Sequence, residues 1–198
     1  MFNPLRMTAI AALLATAGLA QADSAALDGF RALSAVEVSE AKMSAVMKPV
    51  DVADAASAAK GVLRPGDRIA FEISGVKGTK VYILNMDATG TIQMIYPNKF
   101  VEDGGAAQAQ DVMTVPAEGA NYEFEVSGDG GSEIVKVIAV EGDSMAFDAL
   151  IASLFDQEKA FPRALQPAAK TTDALTAFFE ATGDAKIRDP TLEYVIAQ

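Results

Sequence analysis

The chain of 198 residues contains neither cysteine nor histidine. Without cysteine the protein can form no disulfide, no thiol redox centre and no lipid attachment at an N-terminal cysteine. Without histidine, Ser-His-Asp and Cys-His catalytic sites are excluded, as are zinc sites with His or Cys ligands. Any chemistry must therefore use carboxylate, lysine, serine, threonine or tyrosine side chains.

Basic residues are also scarce, because 16 lysines and arginines stand against 27 acidic residues and leave a net charge of −11. A nucleic-acid partner needs a basic face that displaces counterions. An anionic lipid surface would repel such a chain. We therefore expect no nucleic-acid partner, and we interpret the acidity as a source of solubility.

The first 22 residues have the features of a signal peptide. Arg6 supplies a positive charge, an apolar run extends from Met7 to Ala20, and Ala20-Gln21-Ala22 forms an A-x-A cleavage site. The run is shorter than the roughly 20 residues that a membrane-spanning helix needs. We expect residues 1–22 to direct export and to be removed. The mature protein would then be periplasmic or secreted, with no stable membrane insertion.

Residues 23–62 are rich in alanine and keep only a loose helical spacing of apolar residues. Pro49 would stop a helix, and the mixture of Asp, Ala and Ser that follows is typical of a linker or a weak second helix. We expect this stretch to be a helical or disordered appendage.

Residues 63–198 are predicted to form one β-domain. Apolar residues alternate in the strand that starts at Asp67, whereas residues 79–86 and 91–96 are apolar on both faces. About seven such strands with turn signals between them indicate a mainly β fold, an immunoglobulin-like antiparallel β-sandwich. Apolar residues at helical spacing within residues 144–183 predict two helices inserted before the last strand.

Part of this domain resembles the domain-of-unknown-function 4384 family. The resemblance rests on Arg64-Pro65-Gly66-Asp67, Val81-Tyr82-Ile83-Leu84-Asn85-Met86-Asp87, Gly90 and Ile95-Tyr96-Pro97-Asn98, with Val115-Pro116 and the strand at 133–140 fitting the same plan. It implies a small immunoglobulin-like sandwich, found alone in exported proteins or attached to kinase-like and protease-like modules. The resemblance brings no catalytic residues, and it favours an accessory or recognition role.

Two tetrapeptides have the S-x-x-K spacing with which a lysine can activate a serine nucleophile. They run from Ser39 to Lys42 and from Ser57 to Lys60, both inside the alanine-rich stretch. No partner S-D-N or K-T-G follows them. A hydrolase that acts on envelope polymers through such a pair, or through carboxylates, is one alternative function.

Glu123 and Glu125 could form the carboxylate pair of a glycosidase, because such enzymes place two acidic residues on either side of a substrate groove. Both alternate with the aromatic residues Tyr122 and Phe124. This alternation predicts that the two glutamates face solvent on one side of a strand.

Asn85, Asp87, Thr89 and Gly90 have the spacing of the first positions of an EF-hand-like calcium loop. Its twelfth position would be Tyr96 in place of the usual glutamate, and strands flank the segment. We therefore predict a hairpin turn here and a flexible turn at the glycine-rich residues 127–132. A calcium-dependent structural module is the second alternative function.

The leading hypothesis is a non-enzymatic module of the bacterial cell envelope that recognises a protein or another envelope component. No catalytic residue, metal ligand, cofactor or binding residue can be assigned from the sequence. Sheet edges and end loops are the expected contact regions. The loop from Lys99 to Gln110 is the best candidate, because it is long, rich in Gly and Ala, and follows the corner Tyr96-Pro97-Asn98.

Overall fold

Two β-sheets packed face to face form the centre of the protein, with helices on the outer face of one of them. The computed structural model describes residues 9–12, 24–33, 43–101, 105–128, 130–182, 187–188 and 190–197. In chain order the elements are β1 (Ala9–Ala12), α1 (Ser24–Ala32), β2 (Ser44–Asp51), α2 (Ala55–Ala58), β3 (Val62–Leu63), β4 (Arg68–Ser74), β5 (Thr79–Met86), β6 (Ile92–Tyr96), β7 (Val112–Val115), β8 (Tyr122–Glu125), β9 (Gly131–Glu141), α3 (Met145–Leu154), α4 (Ala168–Thr182), β10 (Ile187–Arg188) and β11 (Thr191–Ile196).

The first sheet has the strand order β1-β8-β4-β2, and β7 also pairs with β4. β4 is antiparallel to β2, β7 and β8, whereas β1 runs parallel to β8. β2 is an edge strand, a position at which Pro49 is tolerated because it need not donate to a second neighbour.

The second sheet has the order β3-β11-β9-β5-β6, with β10 pairing β9 beside β11. Its longest ladder joins β5 and β9 in antiparallel register from Thr79↔Glu141 to Met86↔Ile134. The predicted mainly β, two-sheet sandwich is therefore confirmed. The described residues contain four strands beyond the predicted seven, namely β1, β2, β3 and β10.

The period-two pattern of the strands sorts their side chains into two cores. Ile69, Phe71 and Ile73 of β4 point between the sheets, where they pack against residues such as Val81 and Ile83 of β5. The alternate residues of β5, Tyr82, Leu84 and Met86, point to the opposite face and pack against the helices. Both faces of β5 are buried, which explains why its sequence is apolar without alternation.

Helices α3 and α4 cover the second sheet through Phe147, Ile151 and Phe179. Residues between them also close the edge of β6, because Met94 N–H donates to Pro162 C=O (2.7 Å) and Ala164 N–H donates to Ile92 C=O (2.9 Å). Among the described residues, no helix has the length and hydropathy needed to cross a bilayer.

The segment predicted as an appendage differs in the structure. Phe30 and Leu33, at and just after the end of α1, are 0% and 2% exposed and belong to the helix-side core. Residues 44–51 form β2, whose Ala45 and Met47 pack against the core between the sheets. The alternation of apolar residues in β2 is short and is interrupted by Pro49. The proline was interpreted as the end of a helix, so the strand was not predicted.

Candidate functional site

An open cavity of about 830 Å3 lies between residues 106–110, β7 and residues 117–121. We call it the β7 groove. The aromatic residues Tyr96, Phe100 and Tyr122 also contribute to its lining. The loop predicted from the sequence as the contact surface therefore forms one wall of this groove.

The groove exists because β7 and β8 pair with the same side of β4 in different registers. Phe71 of β4 pairs with Val115, whereas Ile69 pairs with Phe124. Residues 116–121 thus bulge out between two segments of what would otherwise be one strand. Ala120 N–H donates to Ala117 C=O (3.0 Å), and Gly119 supplies the positive φ of 76° that this turn uses.

The opposite wall is fixed at its end by backbone hydrogen bonds to the start of β5. Gln108 N–H donates to Thr79 C=O, and Gly78 N–H donates to Gln108 C=O, both at 2.8 Å. Gly105 has a φ of 74°, and a Cβ there would lie 3.0 Å from Pro97 Cβ. A side chain at position 105 would therefore push this wall away from the corner at Pro97.

The corner itself holds Phe100 in place. Asn98 is buried, and its Nδ2 donates to Ile95 C=O (2.8 Å) while its Oδ1 accepts from Phe100 N–H (2.9 Å). The Phe100 ring stacks on Tyr122 with a centroid distance of 5.7 Å and an interplanar angle of 22°. Asn98 therefore fixes the position of Phe100. We call the stacked rings of Phe100 and Tyr122 the aromatic floor of the β7 groove.

This floor continues into the core through Phe161 and Phe124, whose ring centroids lie 6.3 Å apart. Burial raises the pKa of the Tyr122 phenol, and a hydrogen bond with Asn98 opposes part of that effect. Tyr122 is consequently neutral at physiological pH. It can offer a ligand ring contact but no charge.

The electrostatic character of the β7 groove is weakly acidic. Glu118 is the charged residue among the described residues that line it, and none of them is basic. Amide side chains at Gln108, Gln110 and Asn121 supply donors and acceptors. Such a lining suits a neutral or cationic ligand and disfavours an anionic one.

β7 adds backbone groups to the groove. Asp111 C=O accepts from Gly75 N–H (2.9 Å), so this residue faces the β4 side of the ladder. Since backbone groups alternate along a strand, Val112 and Thr114 direct their N–H and C=O groups to the outer edge. Val112 is 48% exposed, and this edge borders the groove.

The structure describes one of the two pairs of the S-x-x-K pattern. Ser39 and Lys42 lie outside them. Ser57 Oγ donates to Asp54 Oδ2 (2.8 Å), and Asp54 is the N-cap of α2. The hydroxyl of Ser57 thus helps to start a helix, while Lys60 is exposed.

Glu123 and Glu125 lie on the outer face of the first sheet, away from the aromatic floor. Both are half-buried, and Glu123 Oε2 lies 3.3 Å from Arg68 Nε. Neither glutamate is among the described residues that line the β7 groove. Their placement on one strand face agrees with the alternation in the sequence.

Residues 87–90 form the tight turn that the sequence predicts between β5 and β6. Asp87 Oδ1 accepts from Thr89 N–H (2.9 Å), Thr89 Oγ1 (2.6 Å) and Thr91 N–H (2.9 Å). Gly90 N–H donates to Asp87 C=O, with a Gly90 φ of 81°. Asp87 Oδ1 thus holds the turn together. The described residues contain no cluster of three or more potential metal ligands of the Asp, Glu, His or Cys type.

Sequence reasoning missed a buried polar cluster between the sheets. Glu133 Oε2 accepts from Tyr194 Oη (2.6 Å) and from Asn85 Nδ2 (2.9 Å), and Glu133 is only 2% exposed. Burial raises the pKa of the Glu133 carboxyl. A single acidic residue at the start of an apolar strand was the available signal. The cluster lies at the interface of β5, β9 and β11, and it links strands where a ligand would have no access.

A second polar cluster fixes α3 to the second sheet. Asp148 Oδ1 accepts from Tyr82 Oη (2.6 Å) and Lys80 Nζ (2.8 Å), while Asp148 Oδ2 accepts from Ser144 Oγ (2.9 Å). These hydrogen bonds keep the pKa of Asp148 below its usual value despite partial burial. The cluster has the geometry of a helix anchor.

Part of the chain matches a known protein family. Residues 62–142 match the family described as Domain of unknown function (DUF4384). The resemblance identified from the sequence is therefore confirmed, and the matched segment contains the whole β7 groove. No curated protein and no solved structure matches the chain.

Proposed function

We propose that this chain, whose residues 62–142 match the DUF4384 family, is a non-enzymatic binding module of the cell envelope that holds an extended peptide segment in the β7 groove. The observation that carries the proposal is the joint presence of a cavity of about 830 Å3, an aromatic floor and an outward-facing strand edge. The predicted signal peptide supports an exported location.

The binding mode follows from the two kinds of surface in the groove. An extended segment can pair with the outward N–H and C=O groups of Val112 and Thr114, which is β-augmentation. Alternate side chains of that segment would then point to the cavity, because successive residues of a strand face opposite sides. An apolar or aromatic side chain would contact Phe100 and the edge of Tyr122.

The charge of the groove and of the whole chain indicates which segments can bind. The lining contains Glu118 and no basic residue among the described residues, and the whole chain carries a net charge of −11. A segment with neutral or basic side chains is favoured over an acidic one, since like charges would repel. The proposed occupant is therefore a neutral or basic extended segment with apolar residues at alternate positions.

Peptide display against residues 23–198, followed by fluorescence anisotropy with the enriched peptides, tests this proposal. We expect neutral or basic sequences with alternating apolar residues. Thr114→Pro should weaken their binding by about tenfold or more, because it removes an outward N–H. Thr114→Val keeps that N–H and should bind like the parent protein.

A second pair of variants tests the cavity separately from the strand edge. Ala107 lies exposed in the wall of the groove, so Ala107→Trp should obstruct it, while Ala56→Trp places the same side chain on α2. Peptide binding should fall only in the first variant. Enriched peptides that bind Thr114→Pro and Ala107→Trp as tightly as the parent protein would show that the groove is not the binding site.

A further inference from the structure

The outer edge of β8 is paired with a segment from the very beginning of the chain. Residues Ala9–Ala12 form β1, which runs parallel to β8 with the register Ala9↔Tyr122, Ile10↔Glu123, Ala11↔Phe124 and Ala12↔Glu125. β1 is the terminal strand of the first sheet. It lies inside the 22 residues predicted to be a removable signal peptide.

Backbone hydrogen bonds next to β8 show which of its groups β1 can reach. Val126 N–H donates to Asp67 C=O, and Gly66 N–H donates to Val126 C=O, both at 2.8 Å. Val126 therefore faces the β4 side of the ladder, and by alternation Phe124 does too. Glu123 and Glu125 direct their N–H and C=O groups to the outer edge, where β1 lies.

We propose that β1 is a placeholder strand, which covers the β8 edge in the precursor and leaves it open for a partner segment after the leader is removed. The inference rests on the proposed binding function and on the predicted cleavage after Ala22. An unpaired strand edge is a template for pairing with another chain. The precursor would thus be unable to bind at this edge before export.

The partner that fits this edge is an extended segment that runs parallel to β8. Its backbone would replace that of β1, so small residues suffice opposite Tyr122 and Phe124, as in the sequence Ala-Ile-Ala-Ala of β1. Cross-strand pairs of opposite charge are stabilising, so the positions opposite Glu123 and Glu125 favour lysine or arginine. The effect is smaller opposite Glu123, because Arg68 Nε already lies 3.3 Å from Glu123 Oε2. The occupant is again neutral or basic and extended.

Amide hydrogen exchange tests the placeholder directly in two forms of the protein. The full chain of residues 1–198 is made by cell-free translation without membranes, so the leader stays attached, and it is compared with residues 23–198. The amides of Glu123 and Glu125 should exchange about tenfold or more slowly in the full chain. The amide of Phe124 faces β4 and should exchange equally in both forms.

A peptide of residues 6–15, labelled with fluorescein, tests whether the open edge binds. We expect saturable binding to residues 23–198 and binding at least about tenfold weaker to residues 1–198, whose tethered β1 competes at high effective concentration. Lysine at peptide positions 10 and 12 should tighten binding about twofold to fivefold, because each faces a glutamate.

Variants at position 123 connect the peptide to the β8 edge. Glu123→Pro removes an outward N–H and should abolish peptide binding, whereas Glu123→Ala removes only the side chain and should retain it. Equal exchange of Glu123 and Glu125 in the two forms, or equal peptide binding by them, would overturn the placeholder. If Glu123→Pro fails to fold, the exchange comparison still decides. Neither result bears on the Thr114 and Ala107 variants, so failure of the β8 site is distinguishable from failure of the β7 groove.

Discussion

The side chain of Glu133 is buried in the core between the sheets, where its protonated form is favoured over the charged form. Burial raises its pKa, so protonation of Glu133 favours the folded state. This contribution is complete below the pKa of the unfolded chain and is lost as the pH rises through the folded pKa. Asn85 Oδ1 is also buried without a hydrogen-bond partner.

Glu133→Gln should therefore stabilise the protein at pH 7 by about 1 kcal/mol, because a neutral amide carries no charge to bury and its oxygen can still accept from Tyr194 Oη and Asn85 Nδ2. Its N–H2 adds a donor beside Asn85, the residue whose Oδ1 has no partner. The gain over the parent protein should shrink as the pH falls toward 4. Urea unfolding at pH 4 and pH 7 measures both values. Glu125→Gln makes the same charge change on the outer face of the first sheet, and an equal response there would refute the role of burial.

Asp67 stabilises the fold by a different route, through two backbone donors. Its Oδ1 accepts from Ala53 N–H (2.9 Å) and its Oδ2 from Arg64 N–H (2.8 Å), and the side chain is buried. Asp67 thus joins the entry of β4 to the segment that precedes α2. Asp67 is one of the residues on which the family resemblance rests, and its role in this structure is to accept these two backbone hydrogen bonds.

Asp67→Asn should cost about 2 kcal/mol of unfolding free energy, since an amide N–H2 would face one of the two backbone donors and leave it unsatisfied. Thermal and urea unfolding measure the loss. Asp111→Asn, at an exposed position, is the matched control and should change stability by less than about 0.5 kcal/mol. Equal stability of both variants would show that the Asp67 hydrogen bonds are not needed.

At the scale of elements, the N-terminal helix α1 is part of the core. Phe30 is fully buried against α4 and the second sheet, and Arg31 Nε pairs with Glu193 Oε1 at 2.6 Å. Lys136, a buried residue of β9, donates to Leu33 C=O just after the end of α1. A cation at that position suits the negative end of the helix dipole.

Phe30→Ala should lower stability by about 3–4 kcal/mol, the usual cost of emptying a buried aromatic site. A disordered or detached appendage would show no change. Arg31→Ala on the same helix removes two solvent-exposed ion pairs, with Glu193 and with Asp28, and should cost about 1 kcal/mol or less. Calorimetry of the two variants separates a docked helix from an appendage.

The sequence predicts elements well where one physical signal dominates. β5 and β6 are apolar on both faces, which predicts strands covered on two sides, and Asp87 with Gly90 indicates the turn between them. β2 was missed, because Pro49 carries a helix-stop signal whose meaning depends on the strand being at an edge. The β7 groove was out of reach as well, since it depends on the register offset between β7 and β8, which no local pattern of residues encodes.

At the scale of the whole molecule, the two cores share one sheet. β5 contributes Val81 and Ile83 to the core between the sheets and Tyr82 and Leu84 to the core under the helices. If either core lost its packing, one buried apolar face of β5 would become exposed to water. The helices and the sandwich are therefore expected to unfold together.

Far-UV and near-UV circular dichroism should accordingly give the same midpoint in a urea titration. The first reports helices and strands, and the second reports the tyrosines, all of which are buried: Tyr82, Tyr96, Tyr122 and Tyr194. The chain has no tryptophan to complicate the near-UV signal. Two separated midpoints would show that α3 and α4 form an independent unit.

The division of one strand into β7 and β8 also limits how strongly a partner can be held. Each segment has four residues, and residues 116–121 interrupt the ladder between them. At about 3.3 Å per residue each edge offers roughly 13 Å of pairing, with two outward-facing residues. Contacts this short form and break quickly, so a lasting complex would require several copies side by side or a partner confined to the same compartment.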